Sequence, residues 1–144
     1  MPIDVKTLFS MTQAQLDELF TNSKAGPIPN GPATGTAIIA PGTRFTPKLA
    51  AAINLFVWQG KNFDAKHGVL RNRISSLGLN AIVASVYKGP SWLDKKECII
   101  LDYSKTSTVA QWVRDEIRQI DRKTYLGKVY GGKKRLIDFV LQFP

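Results

Sequence analysis

Thr108–Phe143, TVAQWVRDEIRQIDRKTYLGKVYGGKKRLIDFVLQF, is the stretch on which the fold turns. In its second half the pattern has a period of two. Arg135, Ile137, Phe139, Leu141 and Phe143 share one face, and Leu136, Asp138, Val140 and Gln142 the other, as in a strand. Gly131-Gly132 separates that run from YLGKVY. A glycine pair between two such runs makes a hairpin turn, because glycine takes positive φ freely. The first half reads differently. Val109, Val113, Ile117 and Ile120 recur at intervals of four, four and three, with Trp112 on the same flank and Gln111, Arg114, Asp115, Arg118 and Gln119 elsewhere. That spacing predicts a helix over 109–120. Ser107 and Thr108 are suited to cap its start, and Arg118, Arg122 and Lys123 lie toward the negative end of its dipole.

Upstream, Thr12 is placed to cap a short docking helix, TQAQLDELF, with Leu16, Leu19 and Phe20 as its apolar edge. Residues 23–32, SKAGPIPNGP, hold three prolines and read as a linker draped over the surface. TGTAIIA (34–40) is β-branched and ends at Pro41-Gly42, so it is expected to be the first strand. Thr46-Pro47 then opens KLAAAINLFVW, a middle helix that Gly60 ends. VLRNRIS (69–75) alternates as a mixed strand, and LNAIVASVYK (79–88), apolar on nearly both faces, suits a central one. In ECIILDY (97–103), Ile99, Leu101 and Tyr103 oppose Cys98, Ile100 and Asp102. About six strands on mostly short links favour an antiparallel sheet that curls toward a barrel.

The expected class is therefore mainly β, a β-rich α+β chain. It has an N-terminal helix, a middle helix and a helix before the final hairpin. Its 144 residues suit one domain, with 1–32 as helix and linker and 33–144 as the β-rich core. No run approaches the ~18 apolar residues of a membrane span, and MPIDVKTLFS lacks a basic segment leading into an apolar one. Cys98 is the single cysteine, which excludes an internal disulfide and fits a reducing, cytoplasmic setting.

Lys and Arg total 20 against 11 Asp and Glu, a formal charge of +9, and the pI is near 9.9. That balance brings nucleic acid and anionic ligands into consideration. Most of the basic residues are interleaved with acids, and the one tight cluster is Lys133-Lys134-Arg135. A solvated basic surface is the simpler reading.

WQGKNFD (58–64), DEIRQIDRKTYLGKVY (115–130) and a closing F-x-L-x-F resemble segments of a bacterial group known by a GXWXG signature. Gly35-Thr36-Ala37 stands where the signature tryptophan is expected. The resemblance implies a calycin-like, or lipocalin-type, β-barrel. It also implies that Trp58, Gly60, Lys61, Phe63 and Asp64 form one corner and Asp115, Arg118, Thr124, Leu126 and Gly127 another. Each corner also has a structural reading, for a tryptophan can close a barrel end and an Arg–carboxylate pair can pin one element to another.

No hydrolase pattern survives inspection. His67 is the single histidine and lies in a loop, and no G-x-S-x-G elbow accompanies it. One His, one Cys and scattered acids predict no metal, and the glycines open no phosphate-binding helix, so no cofactor is expected. The first functional expectation is a binding module whose barrel interior takes an apolar or amphipathic small molecule. Trp58, Lys61, Arg73, Tyr87, Asp102, Arg114, Arg118 and Tyr130 are its candidate contacts, with Arg73 or Arg114 meeting any carboxylate or phosphate. The second is a cofactor-free cyclase, isomerase or lyase with Asp102 or Asp115 as acid or base. The third is nucleic-acid or anionic-surface binding through Lys133-Lys134-Arg135. The sequence leaves open whether any reaction is catalysed and whether the chain forms a homodimer.

Overall fold

In a computed structural model of the chain the described residues are 4–39, 47, 61–73, 80–105 and 111–144. Eight strands follow one another: β1 (Gly31–Ile38), β2 (Lys61–Asp64), β3 (Val69–Arg73), β4 (Asn80–Pro90), β5 (Glu97–Asp102), β6 (Val113–Asp121), β7 (Thr124–Gly131) and β8 (Lys134–Gln142). Each pairs antiparallel with the next, and β8 pairs with β1, so the sheet closes into a barrel without free edges. Two helices precede it, α1 (Val5–Ser10) and α2 (Gln13–Thr21). Thr12 caps α2 as expected, in a reciprocal capping box with Gln15.

Alternation along the strands sorts the core into two layers. Ala33, Phe63, Leu70, Ala84, Val86, Ile99, Leu101, Val113, Ile117, Val129, Ile137, Phe139 and Leu141, drawn from all eight strands, pack together inside the barrel. Ile38, Cys98, Ile100, Leu126 and Val140 point outward instead. They are covered by Leu8, Leu16 and Phe20, so the helices seal one patch of the outer wall. Among the described residues no helix is long and apolar enough to cross a membrane.

The helix expected over 109–120 is instead strand β6, with residues 106–110 outside the described part. Val113 and Ile117 are four apart and share the inward face of β6. The residue between them on that face is Asp115 rather than an apolar one. A polar side chain at the middle inward position removes the two-residue period and leaves a four-residue one, which imitates a helix. The outward face misleads too, because its charged Glu116 and Arg118 are both buried.

The middle helix falls outside the described residues, Pro47 apart, and so does Trp58. The segment expected to drape over the surface does more. Ala25 lies in the interior cluster, its carbonyl accepts from the Gln119 N–H at 3.3 Å, and the Pro27 carbonyl accepts from the Tyr125 hydroxyl at 2.7 Å. Residues 25–28 therefore stopper one end of the barrel. The hairpin at Gly131-Gly132 is present, with Gly132 at φ 63°. A register shift between Val129 and Tyr130 displaces one residue of β8, so Arg135 does not share the inward face of Ile137 and Phe139 but reaches Asp17 of α2 on the outer wall.

Candidate functional site

Lys61 opens β2 on the inward face, two residues before the inward Phe63. Asp115 is the third residue of β6, inward between Val113 and Ile117, and Tyr103 follows the end of β5 in register with the inward Ile99 and Leu101. In the order of the barrel β2 and β6 are four strands apart, on opposite walls. Their side chains meet inside it. Lys61 Nζ donates to Tyr103 Oη at 3.0 Å and lies 3.5 Å from Asp115 Oδ2, and Tyr103 Oη donates to the same Oδ2 at 3.5 Å. The exposures of the three are 1%, 0% and 0% for Lys61, Tyr103 and Asp115, so the cluster is wholly withdrawn from water.

Aromatic faces complete its surroundings. The ammonium of Lys61 sits 5.7 Å from the Tyr103 ring centroid and 5.6 Å from that of Phe139, within cation–π range. Gly127 makes room for that arrangement, since a Cβ there would collide with the Phe139 ring. Burial opposes both charges. It pushes the Asp115 carboxyl up to about 6 against the pull of Lys61 and Tyr103, and it pushes Lys61 down against the pull of Asp115. Asp115 Oδ1 is buried with no hydrogen-bond partner among the described residues.

The other sequence candidates lie elsewhere. Arg114 is on the outward face of β6, where Nε and Nη2 hold Glu116 Oε2 at 3.1 and 2.8 Å, Nη2 also donates to the Pro90 carbonyl, and the guanidinium stacks 4.2 Å from the Trp92 ring. Glu116 accepts as well from the Ser91 hydroxyl and the Trp92 N–H. Tyr130 meets that Trp92 edge-on at 5.0 Å. Asp102 faces outward, where Tyr87 Oη donates to it at 2.8 Å and Ser104 holds its other oxygen. Arg118 makes a two-pronged ion pair with Asp94, 2.7 Å on each side, and donates to the carbonyls of Phe20, Lys96 and Glu97. The side chain of Arg73 lies outside the described part. His67 is exposed, with Nδ1 2.7 Å from Asp64.

Of the candidate contacts and acids, the barrel therefore brings Lys61 together with Asp115, while Tyr87, Asp102, Arg114, Arg118 and Tyr130 decorate its outer wall. Tyr103, one of the aromatics near strand ends that suit a lined pocket, is the member outside the eight candidate contacts. The alternation of ECIILDY already places it inward with Ile99 and Leu101. A second buried charge cluster was also missed: Lys128 lies beneath α2, 2.8 Å from both Asp17 and Asp138, with Arg135 paired to Asp17. Arg135 of the basic cluster is thus already engaged.

A closed eight-stranded antiparallel barrel with a polar cluster sunk in an apolar interior defines the class of this protein. A solved structure described as "Crystal structure of protein from Thermomonospora curvata" shares the fold, with a TM-score of 0.65 and 15% sequence identity over 97% of this chain and 93% of that one. No protein-family model matches the chain, and no curated protein matches it in sequence.

Proposed function

We propose that the chain is a small-molecule binding protein that takes an apolar or amphipathic ligand into the barrel interior, against Lys61, Tyr103 and Asp115. One observation carries this reading, the fully buried Asp115 Oδ1, which has no hydrogen-bond partner among the described residues. A buried acceptor left without a donor costs about 1–3 kcal/mol. In an interior lined by apolar side chains, a hydroxyl or N–H of a ligand supplies that donor, and the ligand's apolar body replaces contacts among the lining residues. Lys61 takes the part first given to Arg73 or Arg114, meeting a carbonyl or anionic oxygen. Such use of the interior is the calycin-like one that the resemblance to the GXWXG-type group implies.

The test is native mass spectrometry of freshly purified protein, compared with its denatured mass and repeated after incubation with octanol and octanoate. A non-covalent mass that disappears on denaturation is the expected result. A bare mass throughout would overturn the reading.

A further inference from the structure

We infer that Lys61 is a covalent capture site for carbonyl compounds, forming a reversible imine with an aldehyde or ketone whose apolar body lies in the barrel. The inference rests on the proposed use of the interior for small molecules and names the class of ligand it takes.

Three features of the cluster lead there. An amine that attacks a carbonyl must be uncharged, and a low-dielectric interior disfavours its ammonium form. Lys61 is buried beside the Tyr103 and Phe139 rings, with Asp115 next to it, and that acid is itself pushed toward its neutral form by the same burial. Lys128 supplies the contrast. It is equally buried, but it lies beneath α2 with two carboxylates at 2.8 Å. The third feature is Asp115, close enough to Lys61 to exchange a proton with it and with one oxygen that no described residue engages, to meet an incoming hydroxyl.

The step balances without an oxidant or a cofactor. Lys61 passes a proton to Asp115, and its nitrogen lone pair forms a bond to the carbonyl carbon. The C=O electron pair moves to oxygen, which takes up the proton released from nitrogen, giving a carbinolamine. Asp115 then returns its proton to that hydroxyl, the C–O bond breaks, and water leaves. The protonated imine that remains carries the charge of the original ammonium beside the Asp115 carboxylate. Tyr103, donating to Asp115 and accepting from Lys61, is a positioning residue that holds the two in register.

The experiment treats the whole protein with octanal and then sodium borohydride, which delivers hydride to the imine carbon and fixes it as a secondary amine. Intact mass and peptide mapping follow. The expected result is a single dominant adduct on Lys61, reduced several-fold in Tyr103→Phe and Asp115→Asn. Adducts confined to exposed lysines such as Lys66 and Lys95, with Lys61 unmodified, would overturn the inference. The wild-type map decides this even if a variant does not fold. Octanol retained in native spectra without a Lys61 adduct defeats the covalent chemistry and leaves interior binding standing; neither octanol nor adduct defeats both.

Discussion

Lys61 and Asp115 approach to 3.5 Å across the interior of the barrel, from strands on opposite walls. A contact between walls four strands apart forms only when the barrel has closed, so it couples the short strand β2 to the centre of the sheet. It also sets two ionisable groups where water does not reach them.

Removing one partner is therefore costly, while removing both is not. Lys61→Met leaves the Asp115 carboxyl buried beside apolar groups and is expected to destabilise the fold by about 3 kcal/mol. Lys61→Met with Asp115→Leu replaces the pair by hydrophobic side chains and is expected to recover to within about 1 kcal/mol of wild type. Urea unfolding of the two single variants and the double variant measures the coupling; additive losses would show that the pair does not act as a unit.

The pH dependence follows from the direction of the Asp115 shift. Its carboxyl titrates at about 6 in the folded chain, above the ordinary 3.8, so the folded state holds the proton more tightly than the unfolded state. The contribution of Asp115 is then fully present below about 4 and is lost as pH rises through about 6, a change of roughly 3 kcal/mol. Asp138, also raised, acts in the same sense, whereas the lowered Asp17, Asp94 and Asp102 contribute stability that is lost as pH falls. The difference between wild type and Asp115→Asn isolates the one group. Relative to the variant, wild type is expected to lose stability between pH of about 4 and about 7, and a constant difference would contradict a raised Asp115.

The same aspartate explains what the sequence conceals. Strands β1, β3, β4, β5, β7 and β8 are legible because β-branched residues or two-residue alternation survive in them, as with Ile99, Leu101 and Tyr103. β6 is not legible, because Asp115 occupies an inward position and Arg118 is buried outward, so neither face looks like a strand face. β2, only four residues long, carries too little pattern to be seen. Lys61 and Asp115 each appear among the candidates, but their meeting depends on barrel closure between residues 54 apart in the chain, which no local spacing encodes. Tyr87, Asp102, Arg114, Arg118 and Tyr130 fall outside the interior because strand ends rich in aromatic and charged residues can face either way until register is known.

Gly127 tests the packing beneath Lys61. Its missing Cβ leaves the space that the Phe139 ring occupies. Gly127→Ala is expected to cost about 1–3 kcal/mol, because the ring must shift against its packed neighbours. Phe139→Leu combined with Gly127→Ala relieves the collision and is expected to be less destabilised than the two single changes added together. Thermal unfolding of the three variants measures this. A Gly127→Ala protein as stable as wild type would mean that the ring moves freely and does not form a fixed floor.

Arg118 is the corresponding test of the outer wall. Its guanidinium joins β6 to Asp94 in the β4–β5 loop, to the carbonyls of Lys96 and Glu97, and to the Phe20 carbonyl near the end of α2, with the Phe20 ring 4.4 Å away. Lysine keeps the charge but presents no planar fork, so Arg118→Lys cannot serve Asp94 and the three carbonyls together. The expected loss is about 3 kcal/mol, since buried acceptors are left unpaired. The damage should also be uneven, because the Phe20 contact ties the end of α2 to the barrel wall. Hydrogen exchange in Arg118→Lys is expected to accelerate first in α2 and the β4–β5 loop while β7 and β8 keep their protection. Uniform acceleration across all strands would instead make Arg118 a determinant of the barrel as a whole, acting through β6 rather than through the helix it touches.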